Sequence, residues 1–220
     1  MTRRLVLASA SPRRRELLSA AGFEFEVIAP SVSEISSRGL TLRELTLCNA
    51  TRKGVEATRR SPGAVILAAD TLIAVGRRVI GKPADLQDAA ATLRRLSGRA
   101  HEVCSAVFVC EGTRICWFTE ISSVRFRRLN ESAIRSYLAK INPLDKAGAY
   151  AAQGHGVEII ERIEGSFTNV VGLPMEKTSD ALRYFGIEPT TPTVVPRPLD
   201  RAQRTGDAVC VARRDTKTRR

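Results

Sequence analysis

Aromatic side chains are scarce in this chain: 1 Trp, 3 Tyr and 7 Phe make up 5% of its 220 residues, so Leu, Ile, Val and Ala must fill its core. Histidine is scarcer still. His101 and His155 stand alone, without Cys or Glu at ligand spacing, which argues against a zinc centre. The 5 cysteines (Cys48, Cys104, Cys110, Cys116, Cys210) are an odd set with no Cys-x-x-Cys pair, and reduced, mostly buried thiols are expected. No apolar run approaches the roughly 18 residues that span a bilayer, so no membrane partner is expected. The stretch Leu5-Val6-Leu7-Ala8 falls short of the roughly 7 to 15 apolar residues of a signal peptide, and Arg13-Arg14-Arg15 follow it. A cytoplasmic setting is the expectation. Also missing are a Gly-x-x-x-x-Gly-Lys loop and a Gly-x-Ser-x-Gly elbow, which weighs against P-loop nucleotidases and esterases of those classes.

Acidic residues are in deficit: 23 Asp plus Glu against 35 Lys plus Arg leave a net charge of +12. Such a balance favours polyanions, but nucleic acid, an acidic membrane and a phosphorylated small molecule all satisfy it. Its distribution is more informative. Residues 197–220 carry 8 basic and 3 acidic side chains, a net +5, and the preceding 196 residues hold +7. With 43% hydrophobic and 26% charged residues, the rest has an ordinary globular composition.

The pattern mixes strands and helices, an α/β or α+β class without internal repeats. Arg4 to Ala8 reads as a buried strand; Ser11 then caps a helix with Pro12 at its first position. Phe23 to Val27 alternates as a strand should, and Thr41 with Glu44 forms a capping box that opens a helix to about Arg59. Ala64 to Ala69 is an apolar run that ends at Asp70. Asp85 caps a helix closed by Gly98, and residues 103–110 and 114–126 form a hairpin around Glu111-Gly112-Thr113. Residues 142–156 read as a long loop, 157–163 as a strand and 165–172 as a glycine-bounded stretch. A last helix starts at Pro174 and ends at Gly186. Pro189, Pro192, Pro196 and Pro198 then interrupt regular structure, so the expected organisation is a domain over 1–189 and a flexible basic tail over 190–220.

Four segments combine a strand end, a turn and charge. Ser9-Ala10-Ser11-Pro12-Arg13-Arg14 sets hydroxyls, backbone N–H groups and guanidinium groups at a helix N-terminus, where an anion can be held. Asp70, directly before Thr71, follows a buried apolar strand, where open α/β sheets place their ligands. A carboxylate there can hold a divalent cation, accept a proton from water, or cap the next turn. Gly81-Lys82-Pro83 presents an ammonium on a rigid turn. The loops from Asp145 through Gln153-Gly154 and from Gly165 through Asn169 are rich in small residues that let backbone approach a ligand.

In this order these segments resemble the Maf family of nucleoside triphosphate pyrophosphatases over nearly all of residues 4–186. The resemblance rests on Leu7-Ala8-Ser9-Ala10-Ser11-Pro12-Arg13-Arg14, Ala69-Asp70-Thr71, Gly81-Lys82-Pro83, Leu96-Ser97-Gly98-Arg99-Ala100-His101, Asp145-Lys146-Ala147-Gly148-Ala149-Tyr150 and Asn169-Val170-Val171-Gly172-Leu173-Pro174. It implies a two-lobed α/β fold, akin to inosine triphosphatases, with a long mixed sheet flanked by helices and a nucleotide cleft between the lobes. It implies a cytoplasmic enzyme, often a homodimer, that needs a divalent cation, Mg2+ or Mn2+. The reaction implied is cleavage of a nucleoside triphosphate to the monophosphate and pyrophosphate.

Carried over by position, Asp70 is the proton acceptor and lies close to the metal, which Glu34 helps to hold. Arg13, Arg14, Lys53 and Lys82 neutralise the triphosphate, and Ser9 adds a hydroxyl donor. Thr71, Gln153 and the 145–150 segment look like the branch acting on dTTP and UTP. The Gln153 amide can donate to O4 and accept from N3–H of uracil or thymine. One departure is Ser33, where the family more usually has an acidic residue; the metal shell then holds one carboxylate fewer or borrows Asp70. The alternatives are a 7-methyl-GTP or other modified-nucleotide pyrophosphatase, and a nucleic-acid binder or regulator of septum formation that uses the basic tail.

Overall fold

The computed structural model describes residues 3–37, 39–190 and, as backbone, 209–212. A fully buried strand β1 (Leu5–Ala8) pairs in parallel with β2 (Glu26–Val27) and with β3 (Val65–Val75). From β3 onward the sheet is antiparallel. β4 (Arg78–Ile80) folds back on the end of β3, and β5 (Ala100–Glu111) pairs with its full middle. β6 (Arg114–Phe126) returns along β5 and carries β7 (Ile160–Glu164) near its end and β8 (Val209–Ala212) near its start. The path is β2-β1-β3-β5-β6-β7.

Strand alternation assigns the faces. Val65, Leu67 and Ala69 pack with Leu18 of α1 (Pro12–Ala20) and with Leu182 of α7 (Met175–Tyr184). Ile66 and Ala68 face the other way, toward Ala50 and Ala57 of α2 (Leu42–Arg60). α2 lies close against the sheet because residue 54 is glycine: a Cβ there would stand 2.4 Å from the Phe108 ring. The capping box at Thr41 and Glu44 starts that helix as expected. A second core lies under the far half of the sheet. It joins Ile73, Val103 and Phe126 to Leu93 and Leu96 of α3 (Leu86–Leu96) and to Ile134 and Tyr137 of α4 (Glu131–Leu138). The two lobes therefore share β3, β5 and β6.

Several expectations need correction. β3 does not end at Ala69 but runs through Asp70 and Thr71 to Val75, because β5 offers it partners as far as Glu102. The strand expected over 23–27 shrinks to Glu26 and Val27, the two residues that reach β1. Of the strand expected over 157–163, the first part is a helical turn, α5 (Gly156–Ile159), and only Ile160 onward pairs. Within 165–172 lies a short helix, α6 (Phe167–Val171), whose capping Ser166 accepts from the Asn169 N–H. The tail holds β8 where no regular structure was expected; beyond Thr190 the rest of it lies outside the described residues. Cys48, Cys104 and Cys110 are free, but Cys116 is disulfide-bonded and not a reduced thiol. Among the described residues no helix is long and apolar enough to cross a membrane.

Candidate active site

The end of β1 determines where chemistry can occur. β1 and β3 run together up to Ala8 and Ala68, and beyond that point β3 continues without this neighbour. Asp70 thus emerges just past the carboxyl end of the parallel pair, next to Ser9, although it is inside a strand. A cleft of about 360 Å³ opens there, lined by five basic side chains (Arg13, Arg14, Lys53, Lys82, Lys146) and three carboxylates (Glu34, Asp70, Asp145).

Alternation along β3 sends Asp70 and Thr71 to opposite faces. Asp70, 3% exposed, faces α2, and the Lys53 ammonium meets it: Nζ donates to Asp70 Oδ1 at 2.6 Å and to Glu34 Oε1 at 2.7 Å. Asp70 Oδ2 is buried with no partner. Burial pushes the Glu34 carboxyl up, but the hydrogen bond and charge of Lys53, with Lys82 and Arg14, outweigh it and hold the group below its ordinary value. Asn49 fixes the segment that carries Glu34, since its Oδ1 accepts from the Ile35 N–H at 2.9 Å. Asn49 and Lys53 stand four apart on one face of α2. That spacing is readable in the sequence.

On the other face Arg14 is buried and its guanidinium is committed to protein acceptors. Nε donates to Gly172 O at 2.8 Å, Nη1 to Ala69 O at 2.8 Å and Ser9 Oγ at 3.2 Å, and Nη2 to Thr71 Oγ1 at 3.0 Å. Burial lowers its pKa from the ordinary value, and the Asp70 charge opposes that shift. Thr71 also shares a hydrogen bond with Ser105, its register partner on β5. The Ser9 hydroxyl accepts from the Ser11 N–H at 3.2 Å, so the turn into α1 is closed by Ser9, whereas Ser11 caps without a side-chain bond.

The far wall comes from the long loop. Arg13 Nη1 reaches Asp145 Oδ2 at 3.2 Å, and Lys146 Nζ donates to Asp145 Oδ1 at 2.5 Å. Burial raises the Asp145 pKa, but Lys146 and Arg13 together hold it below its ordinary value. Lys82 is exposed in the cleft, on a turn whose Gly81 O accepts from Gly148 N at 3.1 Å. Of the residues singled out in the sequence, Ser9, Arg13, Arg14, Glu34, Lys53, Asp70, Thr71 and Lys82 all line this cleft. Gln153 does not; it follows Ala151 and Ala152, which do. Asp145, Lys146 and Tyr150 join the lining as well.

At the end of this loop Tyr150 is buried against His101, with 2.8 Å between its hydroxyl and Nε2. Burial pushes His101 down from 6.5 to about 4. The folded group stays neutral where the unfolded one takes up a proton, so its contribution to stability is complete above pH 6.5 and lost as pH falls through about 4. That window corresponds to about 3 kcal/mol. Thermal unfolding should therefore fall in temperature between pH 6.5 and 4, and less steeply in His101→Gln. An equal slope in the variant would assign the loss to another group.

The family described as Maf-like protein matches residues 4–185. A "dTTP/UTP pyrophosphatase" of Bacillus velezensis is 42% identical over 188 residues, which cover 86% of this chain and 100% of the relative. A protein of the same name from Aquifex aeolicus is 43% identical over 187 residues, 84% of this chain and 96% of that one. A Vibrio cholerae structure, protein VC0702, aligns at TM-score 0.34 and 15% identity over 64% of this chain and 72% of that one. With its motifs gathered around one basic cleft and relatives matched over almost their whole length, the chain belongs to the Maf-like protein family.

Proposed function

We propose that the chain hydrolyses dTTP and UTP to the nucleoside monophosphate and pyrophosphate, a step that clears surplus or modified pyrimidine triphosphates from the nucleotide pool. The observation that carries this reading is buried Asp70, whose Oδ2 has no partner, in the lining of a cleft with five basic side chains. Asp70 takes a proton from water as the oxygen attacks the α-phosphorus; pyrophosphate leaves. Lys53 orients the carboxylate through Oδ1. Arg13 and Lys82 neutralise the phosphates, and Ser9 with the turn into Ser11 adds hydroxyl and backbone donors.

A divalent cation, Mg2+ or Mn2+, fits the donor set. Asp70 has an unpartnered oxygen and Glu34 is the second carboxylate; Mg2+ is commonly held by one or two carboxylates together with substrate phosphates. These two residues would hold it, and when bound it would supply charge neutralisation at the phosphates. Among the described residues no group of three or more His, Cys, Asp or Glu could hold a metal; phosphate oxygens of a bound substrate would add ligands to these two carboxylates. The resemblance adds a homodimeric, cytoplasmic setting to this reading.

Base selection is assigned to Gln153 and Thr71. The test is pyrophosphate release from a panel of triphosphates with each cation. UTP and dTTP should exceed CTP by about 10²-fold or more, and Gln153→Ala should collapse most of that ratio. A preference for 7-methyl-GTP would overturn the substrate, and an unchanged ratio in Gln153→Ala would remove that residue from base recognition.

A further inference from the structure

We propose that His101 is a positioning residue for the cleft, acting through Tyr150 on the loop that holds Arg13 and abuts the Lys82 turn. No step of the reaction uses His101, which lies on β5 behind the cleft lining. Among the described residues the one polar contact of its ring is Nε2 to the Tyr150 hydroxyl at 2.8 Å; Nδ1 is buried with no partner. A position selected for packing alone is better served by an apolar side chain, because a buried ring nitrogen without a partner costs stability. The hydrogen bond to Tyr150 is what an apolar residue could not supply.

Tyr150 is anchored by its hydroxyl and by its ring. Its ring meets His101 edge to face at 5.4 Å and Phe126 at 4.8 Å, and His101 meets Phe126 at 5.0 Å. Immediately before it stand two residues in the left-handed region, Gly148 at φ 73° and Ala149 at φ 61°. Ala149 is the one non-glycine residue with positive φ among the described residues, and such backbone persists only where its surroundings hold it. The loop also folds over the Tyr150 ring: a Cβ on Gly148 would lie 3.2 Å from that ring and 2.7 Å from Ile73. What the anchored segment delivers is the other wall of the site. Gly148 N holds Gly81 O, next to Lys82, and Asp145 holds Arg13. Tyr137, bonded to the Ala151 N–H at 3.0 Å, secures the chain just beyond but not the strained pair itself.

This proposal rests on the pyrophosphatase reading only for its kinetic arm. Tyr150→Phe and His101→Phe each delete the hydrogen bond and keep a ring; His101→Gln can restore a partner for the hydroxyl. Amide hydrogen exchange at Gly148 should quicken by roughly tenfold in both deletions, the worth of one buried hydrogen bond, while exchange in the middle of β3 is unchanged. KM for UTP should rise by about the same factor with kcat within about twofold, because ground-state and transition-state binding are lost together. His101→Gln should recover most of both, and the double deletion should match either single one rather than their product. Wild-type exchange at Gly148 in both deletions would overturn the proposal. So would faster exchange with an unchanged KM. If the wild type releases no pyrophosphate from UTP, the pyrophosphatase reading fails, and the exchange arm still decides whether His101 holds the loop.

Discussion

Asp70→Asn should lower turnover on UTP by about 10²- to 10⁴-fold, the usual worth of a positioned general base. The substitution preserves shape, and the amide oxygen can still accept from Lys53, so the fold should be little affected, with Tm within about 3 °C of wild type. The loss should appear in kcat more than in KM, because the proton is taken only as the transition state forms. Asp70 is also one of the two carboxylates assigned to the cation. Raising the Mg2+ concentration therefore separates its duties: activity that returns with added metal marks a ligand, and activity that stays low marks the base. Full activity in Asp70→Asn would remove the mechanism.

Arg14→Met should be the most destabilising single change in the cleft. It strips hydrogen bonds from Gly172 O, Ala69 O, Ser9 Oγ and Thr71 Oγ1 at once. Each buried acceptor left without a donor costs about 1–3 kcal/mol, and after partial rescue by water and by Ser105 the expected total is about 3 kcal/mol. For a chain of this size that corresponds to a Tm lower by about 6–12 °C. Activity should fall as well, since Ala69 and Thr71 flank Asp70 on β3. A Tm within about 2 °C of wild type together with a raised KM would instead assign the Arg14 charge to the triphosphate.

Local signals in the sequence were sufficient for the starts of α2 and α3. Thr41 with Glu44, and Asp85, accept the N-terminal N–H bonds that their residue types offer. The hairpin turn over 111–113 was likewise legible, because Gly112 takes a positive φ that glycine tolerates. Misreadings arose where distant pairing decides. A polar Asp-Thr pair resembles a strand end by hydropathy, yet β5 supplies a partner for every residue from Ile66 to Ala74. Val157 reads as a strand residue by propensity, but it is 73% exposed on a helical turn while Ile159 fills the core. In the site, residue types and strand ends singled out Ser9, Asp70 and Lys82, and Arg13 and Arg14 with them. The contacts that unite them cross 17 residues from Lys53 to Asp70, 132 from Arg13 to Asp145 and 158 from Arg14 to Gly172. Nothing local encodes such pairings.

The strands shared by both lobes also have a mechanical consequence. β3, β5 and β6 cross from one core to the other as unbroken ladders, with pairing from Ile66–Cys110 through Ala74–Glu102 and from Ala100–Arg125 through Glu111–Arg114. To swing one lobe away from the other about a hinge, those ladders would have to bend or break together. The sheet therefore acts as a stiff spine that keeps Asp70 fixed relative to both cores, and adjustment to a nucleotide falls to the segments outside it, residues 29–37 and the parts of 142–155 away from the Tyr150 anchor. Rate measurements should accordingly sense substitutions in those two segments through substrate entry and product exit, and substitutions along the spine through the chemical step.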